Sequence, residues 1–378
     1  MDLPLEGVTV IEVGQALAGP LAGAVLADMG ADVIKVEKPD GGDDARLWGP
    51  PYGPDGVTSL YFHGQNRSKR SITLDLKKPE DVEALHRLCE TADILIQNLR
   101  PGVVDEIGIG PDAMLARHPR LIYCSIWAFG FEGPMKMKPG FDPLLQAYGG
   151  MMSVTGQPDG PPTFCGASIN DKATGLFVTI GALAALRWRE KTGKGCLVDS
   201  SLFETAAFWV EGQINNYLST GEIPQRHGTG AAVIVPYQTF ETADRPLCLA
   251  AGNDRLFART AKVLGHPEWA EDPRFAKGGD RVRNKAALIP LIAAVFVTKP
   301  RDHWLAALDA VGVPSGPVND IGEVTNSAQM EAVGLLRDLP EDGPKIVSLP
   351  ISFNRRRPFP RRPAPRVGQH NREILGRD

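Results

Sequence analysis

The sequence lacks the features that would send it into a membrane, out of the cell or onto nucleic acid. Its longest apolar run, "GLFVTIGALAAL", falls short of the roughly 20 residues needed to cross a bilayer. The opening "MDLPLEGVTV" has no basic stretch followed by an apolar one, so it does not read as a secretory signal. Five scattered cysteines, Cys89, Cys124, Cys165, Cys196 and Cys248, form no C-x-x-C pair and leave an odd one over, which suits a reducing compartment. Neither sign of charge dominates: 41 basic against 45 acidic residues give a net charge of −4 and no general pull toward nucleic acid or an anionic membrane. The expectation is a cytoplasmic protein with no metal site, no membrane and no nucleic-acid partner. Any phosphate-bearing ligand has to be held by a local patch.

What is present points to an α/β fold. With 378 residues, 43% of them apolar, the chain is long enough for more than one domain. "GVTVIEV", "PLAGAVLADMG" and "ADVIKVEKP" read as strand, helix and strand, and the alternation recurs through "KRSITLDL", "PEDVEALHRLCETA", "DILIQN" and "RLIYCSI". A largely parallel, helix-covered sheet follows. After "EIPQRHGTGAAVIVPYQTF" the pattern changes: "YQTFETADRPLCLAAG" reads as a hairpin, followed by the helices "RLFARTAKVLG" and "NKAALIPLIAAVFV". The last stretch, "SFNRRRPFPRRPAPRVGQHNREIL", is basic and proline-rich and reads as extended over the surface.

Two local features bear on chemistry. The first turn, "VGQALAGPLAG", has glycines at 14, 19 and 23 but Ala16 where a dinucleotide fingerprint needs its second glycine, which argues against an NAD-dependent oxidoreductase. In "GASINDKATGLFV", Asp171 stands with Asn170 at the threshold of a buried-looking helix. An aspartate there is a helix cap in most proteins, and it is also where a helix dipole would favour a reactive carboxylate. The residues alone leave both readings open.

Taken in order, "GQALAGPLAGAVLADMGADVIKVEKPDGGDDARLWGPP", "NRSKRSITLDL", "GASINDKATGL", "REKTGKGCLVDSSL", "GVPSGPVND" and "GQHNREIL" resemble the class III CoA-transferase family over nearly the whole chain. "RHGTGAAVIVPYQTF" and "AGNDRLFA" look most like its succinyl-CoA:dicarboxylate branch, typified by succinate–hydroxymethylglutarate (glutarate) CoA-transferase. The resemblance implies a Rossmann-like large domain over 1–220, a small α+β domain over 221–328, a C-terminal segment 329–378 returning to the large domain, and an interlocked homodimer. It implies CoA thioesters as substrates with a carboxylic acid as acceptor, no tightly bound cofactor, and Asp171 as a nucleophile that becomes acylated.

By the same match, Gln15, Ala18, Lys38, Leu74, Lys77, Asn98 and Leu99 stand at CoA-binding positions, and Gly228 and Gly230 in the "RHGTG" turn at the place of a catalytic glycine-rich loop. The basic run Arg67, Lys69, Arg70 adds the charge a phosphate-bearing ligand requires. A dicarboxylate acceptor needs a cation for its distal carboxylate, and Arg46 and Arg226 are the candidates, with His227 as a hydrogen-bond partner. Leu17, Glu106 and Pro139, with Lys138 beside it, depart from the family pattern. Alternatives are an α-methylacyl-CoA racemase, which Phe141 opposes because it cannot carry a proton, and a CoA-binding protein without turnover.

Overall fold

The computed structural model describes residues 3–341 and 343–377. It divides into two units, one made of 1–151, 164–221 and 329–378 and the other of 152–163 and 222–328. In the first unit, β1 (Thr9–Val13), β2 (Asp32–Glu37), β3 (Arg70–Thr73), β4 (Ile94–Gln97), β5 (Ile122–Trp127) and β6 (Leu197–Ser201) form a parallel sheet in the order β3-β2-β1-β4-β5-β6. Parallel strands need crossovers that cover both faces, so successive residues serve opposite cores. Val10 packs in one apolar layer with Val33, Ile94 and Ile122, while Ile11 packs in the other with Ile34, Leu95 and Tyr123.

The crossovers are α1 (Ala18–Asp28) after β1, α2 (Leu60–Asn66) after β2, α3 (Pro79–Cys89) after β3, and α4 (Val103–Glu106) with α5 (Pro111–Arg117) after β4. Between β5 and β6 come α6 (Asp142–Tyr148), the single turn α7 (Met151–Val154) and the long α8 (Ile169–Thr192); α9 (Leu202–Trp209) and α10 (Glu211–Thr220) follow β6. Strand order reverses between β1 and β4, and ligands of open parallel sheets bind beyond the carboxyl ends of the strands at such a point. α8 packs closely on α1 there: a Cβ added to Gly175 would lie 2.6 Å from the Ala18 carbonyl oxygen. Asp171, one turn before Gly175, is thereby set against the start of α1.

The C-terminal stretch covers the edge of the sheet. His370 N–H donates to the Ser71 carbonyl, Gly368 N–H to Ser71 Oγ, and Thr73 N–H to Asn371 Oδ1, which blunts the exposed side of β3.

In the second unit the hairpin read from the sequence is β7 (Tyr237–Phe240) paired with β8 (Leu247–Ala250), extended by β9 (Ser315–Pro317) into an antiparallel sheet. Helices Asp254–Val263, Lys285–Phe296 and Arg301–Asp309 close its core around Phe257, Phe296 and Trp304. Among the described residues no helix is long and apolar enough to cross a membrane.

Candidate active site

The loop leaving β1 is fixed by side chains from other elements. Asn98, just past β4, accepts from Gln15 N–H at 2.9 Å and donates to Gln15 O at 2.7 Å. Ala16 then takes a left-handed conformation, φ +63°, and its N–H donates to Asp43 Oδ1 at 3.2 Å. That backbone costs a residue with a Cβ about 1 kcal/mol, so it persists only where its surroundings impose it. α1 starts immediately afterwards with no side-chain cap, and among the described residues nothing accepts from the N–H groups of Leu17, Ala18 and Gly19. Pro20 in the first turn needs no acceptor.

Facing this strip is the start of α8. The cap reading of Asp171 meets a specific obstacle: the cap is supplied from elsewhere. Asp142, at the start of α6 and 3% exposed, accepts through Oδ2 from Asn170 N–H at 2.7 Å and Asp171 N–H at 3.0 Å. One turn on, Gln146 donates to Asp142 Oδ1 and the Cys165 carbonyl and accepts from Cys165 N–H, which ties down the loop entering α8. Asp171 lies in the third helical position, and among the described residues no group donates to its carboxylate.

The electrostatics follow from that arrangement. Burial pushes the Asp171 carboxyl from the ordinary 3.8 up to about 7, and the nearby charge of Asp142 adds to the rise. The field of a helix N-terminus favours the anion by only about 0.3–2 kcal/mol, whereas the gap between 3.8 and about 7 corresponds to roughly 4 kcal/mol, so desolvation wins. Tyr61 is driven the same way: burial raises its hydroxyl to about 12, Ser168 opposes the rise through a hydrogen bond, and Asp171 and Asp142 add to it.

Asp171, Gln15, Ala16, Leu17, Ala18, Asn98 and Leu99 line one cavity of about 470 Å³, together with the rings of Trp48, Trp127 and Phe141. This is the size range of pockets that take small-molecule ligands. Two cations, Arg100 and Lys138, also line it, are exposed, and have no carboxylate partner among the described residues. Arg100 went unread in the sequence although it lies just past β4, on the ligand-binding side of such a sheet. Asp142 also went unread: Asp-Pro before an apolar run reads as the start of its own helix, and nothing local reveals a partner 28 residues away.

The sequence profile of CoA-transferase family III matches residues 5–371. Succinate–glutarate CoA-transferase from Agrobacterium fabrum is 40% identical, over 98% of this chain and 95% of its own. Succinyl-CoA:glutarate CoA-transferase from Mus musculus is 36% identical, over 98% and 86%. Among solved structures, a CAIB/BAIF family protein from Brucella suis superposes with a TM-score of 0.88 at 39% identity, over 100% of this chain and 99% of that one. The chain belongs to CoA-transferase family III. It is a CoA-transferase, and such enzymes take CoA thioesters as substrates.

In this CoA-transferase several residues singled out from sequence lie away from the cavity. Arg46 is 6% exposed and bound to Glu37 through two nitrogens, at 2.9 and 2.7 Å; it also donates to Pro365 O and stacks 3.9 Å over the Phe62 ring. Its Nε and Nη2 are thus committed to the scaffold. The "NRSKR" run is likewise consumed: Arg67 pairs with Asp28, Lys69 with Glu12, and Arg70 with Asp32 and Glu373. Leu74 is 2% exposed and part of the apolar core. Lys38 and Lys77 are exposed beyond the carboxyl ends of β2 and β3, Lys38 in a surface pair with Asp44.

Gly228, Gly230, Arg226 and His227 belong to the second unit. Arg226 donates to the carbonyls of Gln157, Pro158 and Gly160 and so fastens the 152–163 segment, which occupies the cation expected for the acceptor. The N–H of Gly228 donates to Gly156 O and that of Gly230 to His227 O, so neither is an open oxyanion donor as it stands. Gly228 has φ +62°, a conformation that favours glycine. Burial, helped by the charge of Lys285, holds His227 below the usual histidine range and therefore neutral.

Proposed function

We propose that the protein moves CoA from an acyl-CoA, succinyl-CoA foremost, to a dicarboxylic acid by way of covalent intermediates on Asp171. The carrying observation is a carboxylate that is desolvated, released from helix capping by Asp142, and set in a cavity opposite the uncapped start of α1. The ionised Asp171 attacks the thioester carbonyl and expels CoA thiolate, leaving a mixed anhydride. The thiolate then attacks the aspartyl carbonyl, which frees the donor acid and forms an aspartyl-CoA thioester. The acceptor carboxylate attacks that thioester and expels the thiolate again. The thiolate closes the cycle at the acceptor's acyl carbon and regenerates Asp171. Each tetrahedral oxyanion needs donors, and the N–H groups of Leu17, Ala18 and Gly19, unengaged among the described residues, would supply them from the strip opposite.

The relatives' names support a dicarboxylate acceptor. With Arg46 and Arg226 committed elsewhere, its distal carboxylate falls to Arg100 or Lys138. Gln15, Ala18, Asn98 and Leu99 would flank the thioester arm, and Lys38 and Lys77 would meet the nucleotide phosphates outside. Lys38 would give up only an exposed ion pair, which contributes little.

A homodimer is part of this proposal. All ten residues of α10 are exposed, and Ile214, Tyr217 and Leu218 make one apolar face beside Phe208 and Trp209 of α9, an area that calls for a covering partner. Light scattering at a single subunit mass would end that part of the proposal.

The test of the reaction is succinyl-CoA offered with a panel of mono- and dicarboxylic acids, the products read by mass spectrometry. New acyl-CoA from a dicarboxylate is the expected result, and no transfer to any acid would overturn the substrate assignment. A pH profile adds a second check. Only ionised Asp171 attacks, so kcat/KM should fall about tenfold per pH unit below about 7. Asp142→Asn keeps an oxygen for the two N–H groups but removes the charge that raises Asp171, so the acidic limb should move to lower pH. A limb that stays put would remove Asp142 from the electrostatics of the nucleophile.

A further inference from the structure

The strip facing Asp171 is held from behind by buried charges that the reaction does not consume. Lys35, in the middle of β2 and wholly buried, places its ammonium 2.7 Å from Gly14 O, 3.1 Å from Glu12 Oε1 and 3.0 Å from Asp43 Oδ2. Asp43 Oδ1 accepts from Ala16 N–H at 3.2 Å and Ala45 N–H at 3.0 Å. Glu12 Oε2 lies 2.7 Å from Lys69, which donates in turn to Pro20 O and Asn66 Oδ1. Gly23 leaves room for the assembly, since a Cβ there would sit 1.8 Å from Glu12 Oε2.

Charges taken this far out of water are expensive, and apolar residues at 12 and 35 could fill a sheet interior as well. What the charged set adds is where its hydrogen bonds end: on Gly14 O, Ala16 N–H and Pro20 O, the backbone of the strip and the first turn of α1. Asn98 anchors Gln15 and the close contact with Gly175 anchors Ala18. Between those anchors lies Ala16, left-handed without being glycine, and Asp43 is the group that bonds it.

We infer that Asp43 is a positioning residue for CoA transfer: by holding Ala16 left-handed, with Lys35 behind it, it fixes the strip Gln15–Ala18 against Asp171. The inference rests on Asp171 acting as proposed above. Without the tether Ala16 relaxes to an ordinary backbone conformation, and the N–H groups at the start of α1 lose their aim at the reacting carbonyl.

The test uses Asp43→Ser, which can still cap the Asp44–Leu47 turn through Ala45 N–H but is too short to serve Ala16 and Lys35 together. A thermal melt establishes that the variant is folded. Hydrogen exchange read by mass spectrometry should then show faster exchange in the peptide containing Gln15 and Ala16. In turnover with succinyl-CoA, kcat should drop about tenfold or more while the KM for the acyl-CoA changes less than about threefold. Adding Ala16→Gly to Asp43→Ser should recover at least about threefold of kcat, because glycine adopts the left-handed conformation unaided. A role confined to fold stability would not be rescued in that way. Unchanged exchange at Gln15 and Ala16, or kcat within about twofold of wild type, would overturn the inference. The exchange arm needs no turnover, so a wild type that transfers no CoA would sink the proposed reaction while Asp43's hold on Ala16 is still decided.

Discussion

Asp171→Asn is expected to abolish CoA transfer and, at about pH 8, to make the protein more stable. The loss follows because an amide does not form the anhydride, and removal of a covalent nucleophile in other enzymes costs about 10⁴- to 10⁶-fold. The gain follows from linkage. Asp171 has its folded pKa raised to about 7 from 3.8, so its favourable contribution is fully present below the unfolded value and is lost as pH rises through the folded one. Above about pH 7 the folded protein carries a charge it would rather not hold, at a cost approaching roughly 4 kcal/mol. Asparagine avoids the charge at similar shape. The difference in melting temperature between variant and wild type should therefore be large at about pH 8 and shrink as pH falls toward about 4. Equal melting temperatures at every pH would mean that the carboxylate is not desolvated. Retained transfer would mean that the acyl group travels by another route.

That balance of cost and use is what distinguishes Asp171 from a cap. A capping aspartate is stabilised by the N–H groups it accepts, and its replacement destabilises by about 1 kcal/mol. Here Asp142 takes those N–H groups and should behave as the cap, which leaves the Asp171 carboxylate for the role proposed for it.

The large-unit fold is legible in the sequence because its signals are local. Val10 and Ile11 face opposite cores simply because neighbours on a strand do, and the alternation of such runs with Gly- and Pro-bounded helices is enough to imply a parallel sheet. The helix start at Asp171 is legible too. The surrounding cations are not. A run such as "NRSKR" reads as a phosphate patch, but the carboxylates that neutralise it, Asp28, Glu12, Asp32 and Glu373, lie far off in the chain and reach it only through the sheet and the C-terminal strap. Arg46 also has a carboxylate partner, Glu37 on β2, only nine residues away yet brought to it by the turn after the strand. Charge in a sequence shows what a side chain can bind and says nothing of whether the fold has already bound it. Arg100 shows the converse: an unremarkable arginine after a strand lines the cavity with no carboxylate partner among the described residues.

Lys35→Met should produce the second large effect, a loss of about 3–5 kcal/mol in the stability of the first unit. Methionine fills nearly the same space and packs well in a sheet, so the shortfall is electrostatic. Glu12 keeps Lys69 as a partner, whereas Asp43, 3% exposed, is left without a cation. Lys69→Met, on the same carboxylate, should cost less. Burial pushes Lys69 down to about 8 against the pull of Glu12, so holding it protonated at neutral pH already works against folding; burial acts on Lys35 too, but Glu12, Asp43 and Glu37 outweigh it and keep its pKa above the ordinary value. Thermal melts at about pH 7 should therefore place Lys35→Met on the order of 10 °C below wild type, with Lys69→Met in between. The reverse order would show that Lys69 is the main support of the buried cluster. If Lys35→Met melts with wild type, the charges under the strip contribute nothing that an apolar core would not, and a residual loss of activity would then have to come from the single bond between Lys35 and the Gly14 carbonyl.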